Sequence, residues 1–339
     1  MLDEVRSAGE INIPAMTIPM SEALSIEAKD FYTNFLQILP GSMFVENGEP
    51  WDKARERWQP IWDMLVHRAR SIYAVDIVSD VIAGVRVDVI TPLTYKGNVN
   101  GARIIVFAHA GGFCNGQGAI SEAIGLASTG DVKVVSVDYS LAPENKFPAQ
   151  IEQIIAVYSA LQLDYQPKEI ALVGTSAGGQ IMQMSVARMI MDGIQPPAAL
   201  VLFSAGLAHV LSATGSQGDM GHYGAALEGY IFYGGVAPSP GAVTAQNFFE
   251  NVDSLSPLVA PAFFPDILRQ FPPTLLMGAG RDETLSVIFV SHRALLAASV
   301  PTELHVWEGL CHGFWLVTGL PESTDAYRTT LRFIEEHFG

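Results

Sequence analysis

The chain has 339 residues, 49% of them hydrophobic and only 16% charged, with a net charge of −16 at neutral pH. That acidity excludes the basic face that nucleic acid and anionic membrane surfaces require. Two cysteines in a chain this long make no disulfide framework, and the length allows one large core, or one core plus a subdomain.

The N-terminal residues Met1-Leu2-Asp3-Glu4 are acidic and lead into no apolar core, so no signal peptide is expected and a cytoplasmic protein is the economical reading. From Ser21 to Leu39, apolar residues recur at helical spacing (Leu24, Ala28, Phe31, Phe35, Leu39), and Pro40-Gly41 stops the pattern. Trp51 to Arg70 predicts a second amphipathic helix with Trp58, Ile61, Trp62, Leu65 and Val66 on one side, kinked or divided at Pro60. Periodicity alone reads the two helices as padding on a domain surface, with a lid over a pocket as the alternative.

From Ile72 onward strands and helices alternate. Ile72 to Val81 and Val85 to Ile90, separated by Ala83-Gly84, predict a hairpin. Further strands are predicted over Arg103–Ala108, Val132–Val137, Ile170–Val173, Ala198–Phe203, Thr274–Met277 and Thr302–Trp307, with helices over Pro148–Leu161, Gln180–Met191 and Val287–Ala298. This is the pattern of a doubly wound, mostly parallel α/β sheet, which places its sites at the C-terminal ends of the strands. The longest uncharged stretch, 193–218, is interrupted by Pro196, Pro197, Gly206, His209 and several serines. It falls short of about 18 continuous apolar residues, so no membrane span is expected. Gly206 to Ala262 is long for a connector, and its aromatics (Tyr223, Tyr230, Phe232, Tyr233, Phe248, Phe249) favour a part in a lid over a disordered excursion.

Between a predicted strand and a predicted helix lies Gly174-Thr175-Ser176-Ala177-Gly178-Gly179. A serine on so sharp a turn has its hydroxyl pushed outward, and the flanking glycines relieve the crowding. A serine hydroxyl needs a base to take its proton, and the base needs a third group to orient it. Downstream, Gly278-Ala279-Gly280-Arg281-Asp282 puts Asp282 at a strand end, with Glu283 as its rival; either is otherwise a solvated loop carboxylate or helix cap. His312 follows the last strand, flanked by Gly313, whereas His305 lies within that strand and reads as a packed or edge histidine. His109-Ala110-Gly111-Gly112-Phe113 follows a strand directly. Backbone N–H groups of Gly111 and Gly112, joined by that of Ala177, could surround a developing oxyanion. A phosphate-cradling loop is the weaker reading, since no G-x-G-x-x-G and no Lys-Ser/Thr pair is present. No ligand cluster for a metal or cofactor is seen, and none is needed.

With these residues in this order, the chain resembles the hormone-sensitive-lipase-like family of α/β-hydrolases, bacterial esterases with an H-G-G-G loop and a G-D-S-A-G-G elbow. The likeness extends to Asp138-Tyr139-Ser140-Leu141-Ala142-Pro143-Glu144, Phe147-Pro148-Ala149, Ser256-Pro257-Leu258 and His312-Gly313-Phe314, about Ile72 to Phe333 in all. The resemblance implies an α/β-hydrolase fold with a helical cap and a Ser176–Asp282–His312 triad. It also implies an oxyanion hole from Gly111, Gly112 and Ala177. It makes residues 1–70 cap helices, residues 71–339 the catalytic domain, and 206–262 a further contribution to the cap. Four positions depart from the family pattern: Ala110 for the first loop glycine, Thr175 for the aspartate before the nucleophile, Ser140 for an arginine and Gln153 for an aspartate.

The expected activity is that of a serine carboxylesterase on short- to medium-chain esters, through an acyl-enzyme. A lactone hydrolase on the same triad is the alternative. A non-catalytic small-molecule receptor is disfavoured because plant receptors resembling this family lack the catalytic histidine. The partners expected are an ester or lactone substrate and, from the resemblance and the apolar composition, a second copy in a homodimer. Cys114 and Cys311 flank the predicted loops and read as small buried residues, whose modification would disturb the site if it occurred.

Overall fold

The computed structural model describes residues 19–38, 49–96, 103–208 and 248–339. Helices α1 (Ile26–Ile38) and α2 (Trp51–Ile72) precede the strands. α2 runs through Pro60 as one helix, so the proline does not divide it. The carbonyl that loses its partner there belongs to Glu56, which is exposed like Pro60, so water can take the bond. The opposite face, with Trp58, Ile61, Trp62, Leu65 and Ala69, is buried and packs the helix onto the core.

Strands β1 (Val75–Ile82) and β2 (Val85–Pro92) form the expected hairpin. Its turn, Ala83-Gly84, has positive φ at both residues (50° and 80°), the conformation that matches strand twist in two-residue hairpins. The strands that follow are β3 (Ile104–Ala108), β4 (Lys133–Val137), β5 (Ile170–Thr175), β6 (Ala199–Phe203), β7 (Thr274–Arg281) and β8 (Thr302–Cys311). The sheet of the described residues has the order β1-β2-β4-β3-β5-β6-β7-β8. β1–β2 and β2–β4 are antiparallel, and every later neighbour is parallel.

The central strands are apolar on both faces because both are covered. Alternation along them sends Val106, Leu172, Leu200 and Leu202 into one half of the core and Ile105, Phe107, Val173, Val201 and Phe203 into the other. The first half is closed by α4 (Ala149–Leu161), α5 (Ala177–Met191) and α6 (Leu285–Ala297), the second by α2, α3 (Ser121–Gly130) and α7 (Pro321–His337). The N-terminal helices therefore share a core with the sheet: Leu24, Ala28, Trp58 and Trp62 belong to the same cluster as Phe107 and Phe203. Of the stretch 206–262, residues 209–247 lie outside the described residues.

β7 and β8 are longer than expected, and their pairing shifts at its end. Ala279 pairs with Trp307, and the next pair is Arg281 with Cys311. β8 thus takes four steps where β7 takes two, through a bulge containing Gly309 at φ 76°. Bulges of this kind re-aim the chain beside functional sites.

A helix of the second core half carries a wholly enclosed carboxyl group. Glu122, in the first turn of α3, has no exposed surface. Neither its oxygens nor the neighbouring Thr175 hydroxyl has a hydrogen-bond partner of normal geometry among the described residues. Burial pushes the group up to about 8, and the Thr175 hydroxyl opposes this only in part. The unfolded chain releases that proton near 4.5 and the fold holds it to about 8, so this group's contribution to stability falls as pH rises through that window. Glu122→Gln is predicted to unfold at the same denaturant midpoint as the parent at pH 4. At pH 8 it should be more stable, by on the order of a few kcal/mol; an equal or lower midpoint there would refute the assignment.

Candidate active site

The structure joins β5 to α5 through one residue. Ser176 makes the turn at φ 54°, ψ −118°, a conformation an L-residue adopts only when its surroundings enforce it. A Cβ on Gly174 would stand 2.6 Å from the Gly178 backbone, and one on Gly178 would strike the Ala108 carbonyl at the end of β3. Only glycine allows both approaches. The second of them seats the N-terminus of α5 against the start of the His109–Phe113 loop.

The Ser176 N–H donates to the Phe203 carbonyl at 2.7 Å, which ties the turn to the end of β6. The next residue of β6's exit, Ser204, also has positive φ (48°). Its hydroxyl donates to Asp282 Oδ2 and accepts the Gly313 N–H at 3.3 Å. Asp282 Oδ1 accepts from His312 Nδ1 at 2.9 Å and from the Thr284 N–H and hydroxyl, both at 2.7 Å. A carboxylate only accepts, so His312 carries its proton on Nδ1 and leaves Nε2 with a lone pair.

The register explains why acid and histidine meet. Arg281 and Cys311 are paired across parallel strands, and Asp282 and His312 are simply the residues that follow. Burial works against the charge on Asp282, but His312 and the hydrogen bonds from His312, Ser204 and Thr284 outweigh it and hold the carboxyl below its ordinary range. For His312 burial also opposes the charge, and Asp282, helped by Glu283, lifts the imidazole above its ordinary value. Glu283, the rival acid, is half-buried; its carboxyl is raised by burial and by Asp282, with His312 opposing. His305 stands apart in β8, its ring bonded to Glu303 at 2.9 Å and its side chain 38% exposed, an edge histidine as expected.

The loop after β3 is held in conformations that disfavour side chains: Gly111, Gly112 and Phe113 have φ of 132°, 59° and 68°. The Gly111 carbonyl accepts the N–H groups of Cys114 and Asn115 at 3.2 and 2.9 Å, which curls the loop back on itself. Behind it the His109 ring stacks on Tyr139 with centroids 4.1 Å apart, and the Tyr139 hydroxyl donates to the His109 carbonyl at 2.8 Å. Ala177 opens α5, where backbone N–H groups have no partner within the helix. Cys114 and Cys311 are both buried, and burial pushes the Cys114 thiol up to about 12, so it remains protonated. Among the described residues no group of three or more His, Cys, Asp or Glu could hold a metal ion, and no helix is long and apolar enough to cross a membrane.

Ser204 and Thr284 were not among the residues singled out from sequence. Each is a small polar residue at or just past a strand end, but only the fold shows that both hydroxyls reach the same carboxylate. Two departures from the family pattern also prove to be neighbours, since Gln153 Oε1 accepts the Ser140 N–H at 2.9 Å.

The sequence profile of the alpha/beta hydrolase fold matches residues 105–316. The chain belongs to this family. Among its relatives is the carboxylesterase/phospholipase LipF of Mycobacterium tuberculosis, 29% identical over 243 residues, which are 69% of this chain and 62% of LipF. The chain thus spans under two thirds of that relative's length. Among solved structures, that of an esterase superposes with a TM-score of 0.78 at 25% identity, covering 97% of this chain and 99% of the other. An esterase of the bacterial hormone-sensitive lipase family shares the fold at a TM-score of 0.71 and 23% identity, covering 87% and 94%. The expected α/β-hydrolase fold is borne out.

The Asp282–His312 geometry predicts that His312 titrates above the ordinary 6.5 of histidine, followed by NMR of its ring protons. Asp282→Asn removes the attraction and leaves the burial penalty, so the titration should fall below that value. A midpoint unmoved by the substitution would refute the pairing.

Proposed function

We propose that the protein is a serine carboxylesterase acting on short- to medium-chain esters, with Ser176 as nucleophile, His312 as base and Asp282 as orienting acid. The observation that carries the reading is a buried carboxylate holding the imidazole Nδ1–H at 2.9 Å, beside a strained Ser176 turn at φ 54° that is tied to the same cluster through Phe203 and Ser204. His312 Nε2 takes the Ser176 proton as the hydroxyl attacks the ester carbonyl. The N–H groups of Gly111, Gly112 and Ala177 receive the oxyanion. The alcohol leaves with the proton from His312, forming an acyl-enzyme that water cleaves by the same route. The names of LipF and of the esterase structures agree with this chemistry. The N-terminal helices and the 206–262 segment are proposed to cap the pocket.

The test is the initial rate on p-nitrophenyl esters of increasing acyl length, with Ser176→Ala as control. Rates should peak at short or medium acyl chains and fall by about 10⁴-fold or more in the variant. Hydrolysis that is absent, or equal in the variant, would overturn the proposal. A lactone cleaved faster than every ester, and only with Ser176 present, would move it to the lactonase reading.

A further inference from the structure

The Gly111–Gly116 loop is not held by its own hydrogen bonds alone. Four of its residues, Gly111, Gly112, Phe113 and Gly116, have positive φ, and such a run persists only where neighbours over-determine it. The neighbours come from a distant part of the chain. Arg55, on α2, donates from Nε to the Cys114 carbonyl at 2.8 Å and from Nη2 to the Ala142 carbonyl at 2.8 Å. Its other contacts are a two-pronged pair with Glu144 at 2.9 and 2.7 Å, which orients the guanidinium. One planar group therefore bolts the loop after β3 to the loop after β4. Ala142 in turn donates its N–H to the Phe113 carbonyl at 2.9 Å, so the clamp holds the successive carbonyls of Phe113 and Cys114.

Seven residues on, two turns along the same face of α2, Trp62 donates from Nε1 to Asn115 Oδ1 at 2.9 Å. That oxygen also accepts the Gly116 N–H at 2.7 Å. Trp62 and Asn115 are both buried, which leaves these bonds without competition from water.

We infer that Arg55, supported by Trp62, is a positioning residue that sets the Gly111 and Gly112 N–H groups for the oxyanion, making helix α2 part of the catalytic apparatus. This inference rests on the esterase reading for its kinetic consequence but not for its structural one. Lysine cannot replace the guanidinium, because a point charge on a flexible stem cannot meet Cys114, Ala142 and Glu144 in fixed directions at once.

The experiment compares the full-length protein with Arg55→Lys and Arg55→Ala by steady-state kinetics on a p-nitrophenyl ester and by amide hydrogen exchange over residues 111–116. Displacing preset donors lowers the chemical step and leaves ground-state binding, so Arg55→Lys should lose about 10- to 100-fold in kcat with KM within about threefold. Exchange over the loop should be faster in the variant, with the rest of the sheet unchanged. An unchanged kcat with unchanged loop exchange overturns the inference, as does a loss confined to KM. If Arg55→Ala fails to fold, the lysine variant alone decides. If the parent protein hydrolyses no ester, the esterase reading fails and the exchange comparison decides the clamp: faster in Arg55→Lys supports it, equal refutes it.

Discussion

A carboxylate with no contact with water stays ionised only if enough donors replace the water it has lost. Asp282 meets that condition with the His312 ring, two groups of Thr284 and the Ser204 hydroxyl. Everything else in the site depends on this cluster. It selects the His312 tautomer, places the ring, and through Ser204 and the Phe203 carbonyl fastens the Ser176 turn to the same point. Three strand ends, β6, β7 and β8, are thereby locked together at the C-terminal edge of the sheet, the edge at which α/β folds collect their chemistry.

Strain is concentrated at that edge. Ser176, Ser204, Phe113 and the glycines around them occupy backbone conformations that are costly for L-residues, of order 1–3 kcal/mol for each non-glycine. The sheet can carry that cost because its central strands are buried on both faces and its two core halves are continuous. The N-terminal helices add to the second half through Trp58 and Trp62. Padding and a share in the site are not exclusive roles for them: the face of α2 that packs also carries the Arg55 and Trp62 donors that reach the loop.

The departures from the family pattern have local physical counterparts. Ser140 and Gln153 satisfy one another by a neutral hydrogen bond. Thr175, fully buried before Ser176, lies beside Glu122, a carboxyl held as the neutral acid near pH 7 by its surroundings. Neither exchange touches Asp282 or His312.

The local order of the chain was enough to determine the strands, the hairpin, the elbow at Ser176 and the candidates Asp282 and His312, because apolar period, glycine spacing and position after a strand are properties of short segments. Choosing Asp282 over Glu283 was beyond it, since adjacent residues differ only in which one the parallel register turns toward His312. The continuity of α2 through Pro60 and the bulge that ends β8 were likewise decided by packing, which supplies the exposed face and the shifted pairing that no segment carries alone. Ser204, Thr284, Arg55 and Trp62 became visible only in three dimensions. Their bonds span tens to over a hundred residues of sequence, or depend on which way a strand end faces, so no short segment carries a signal for them.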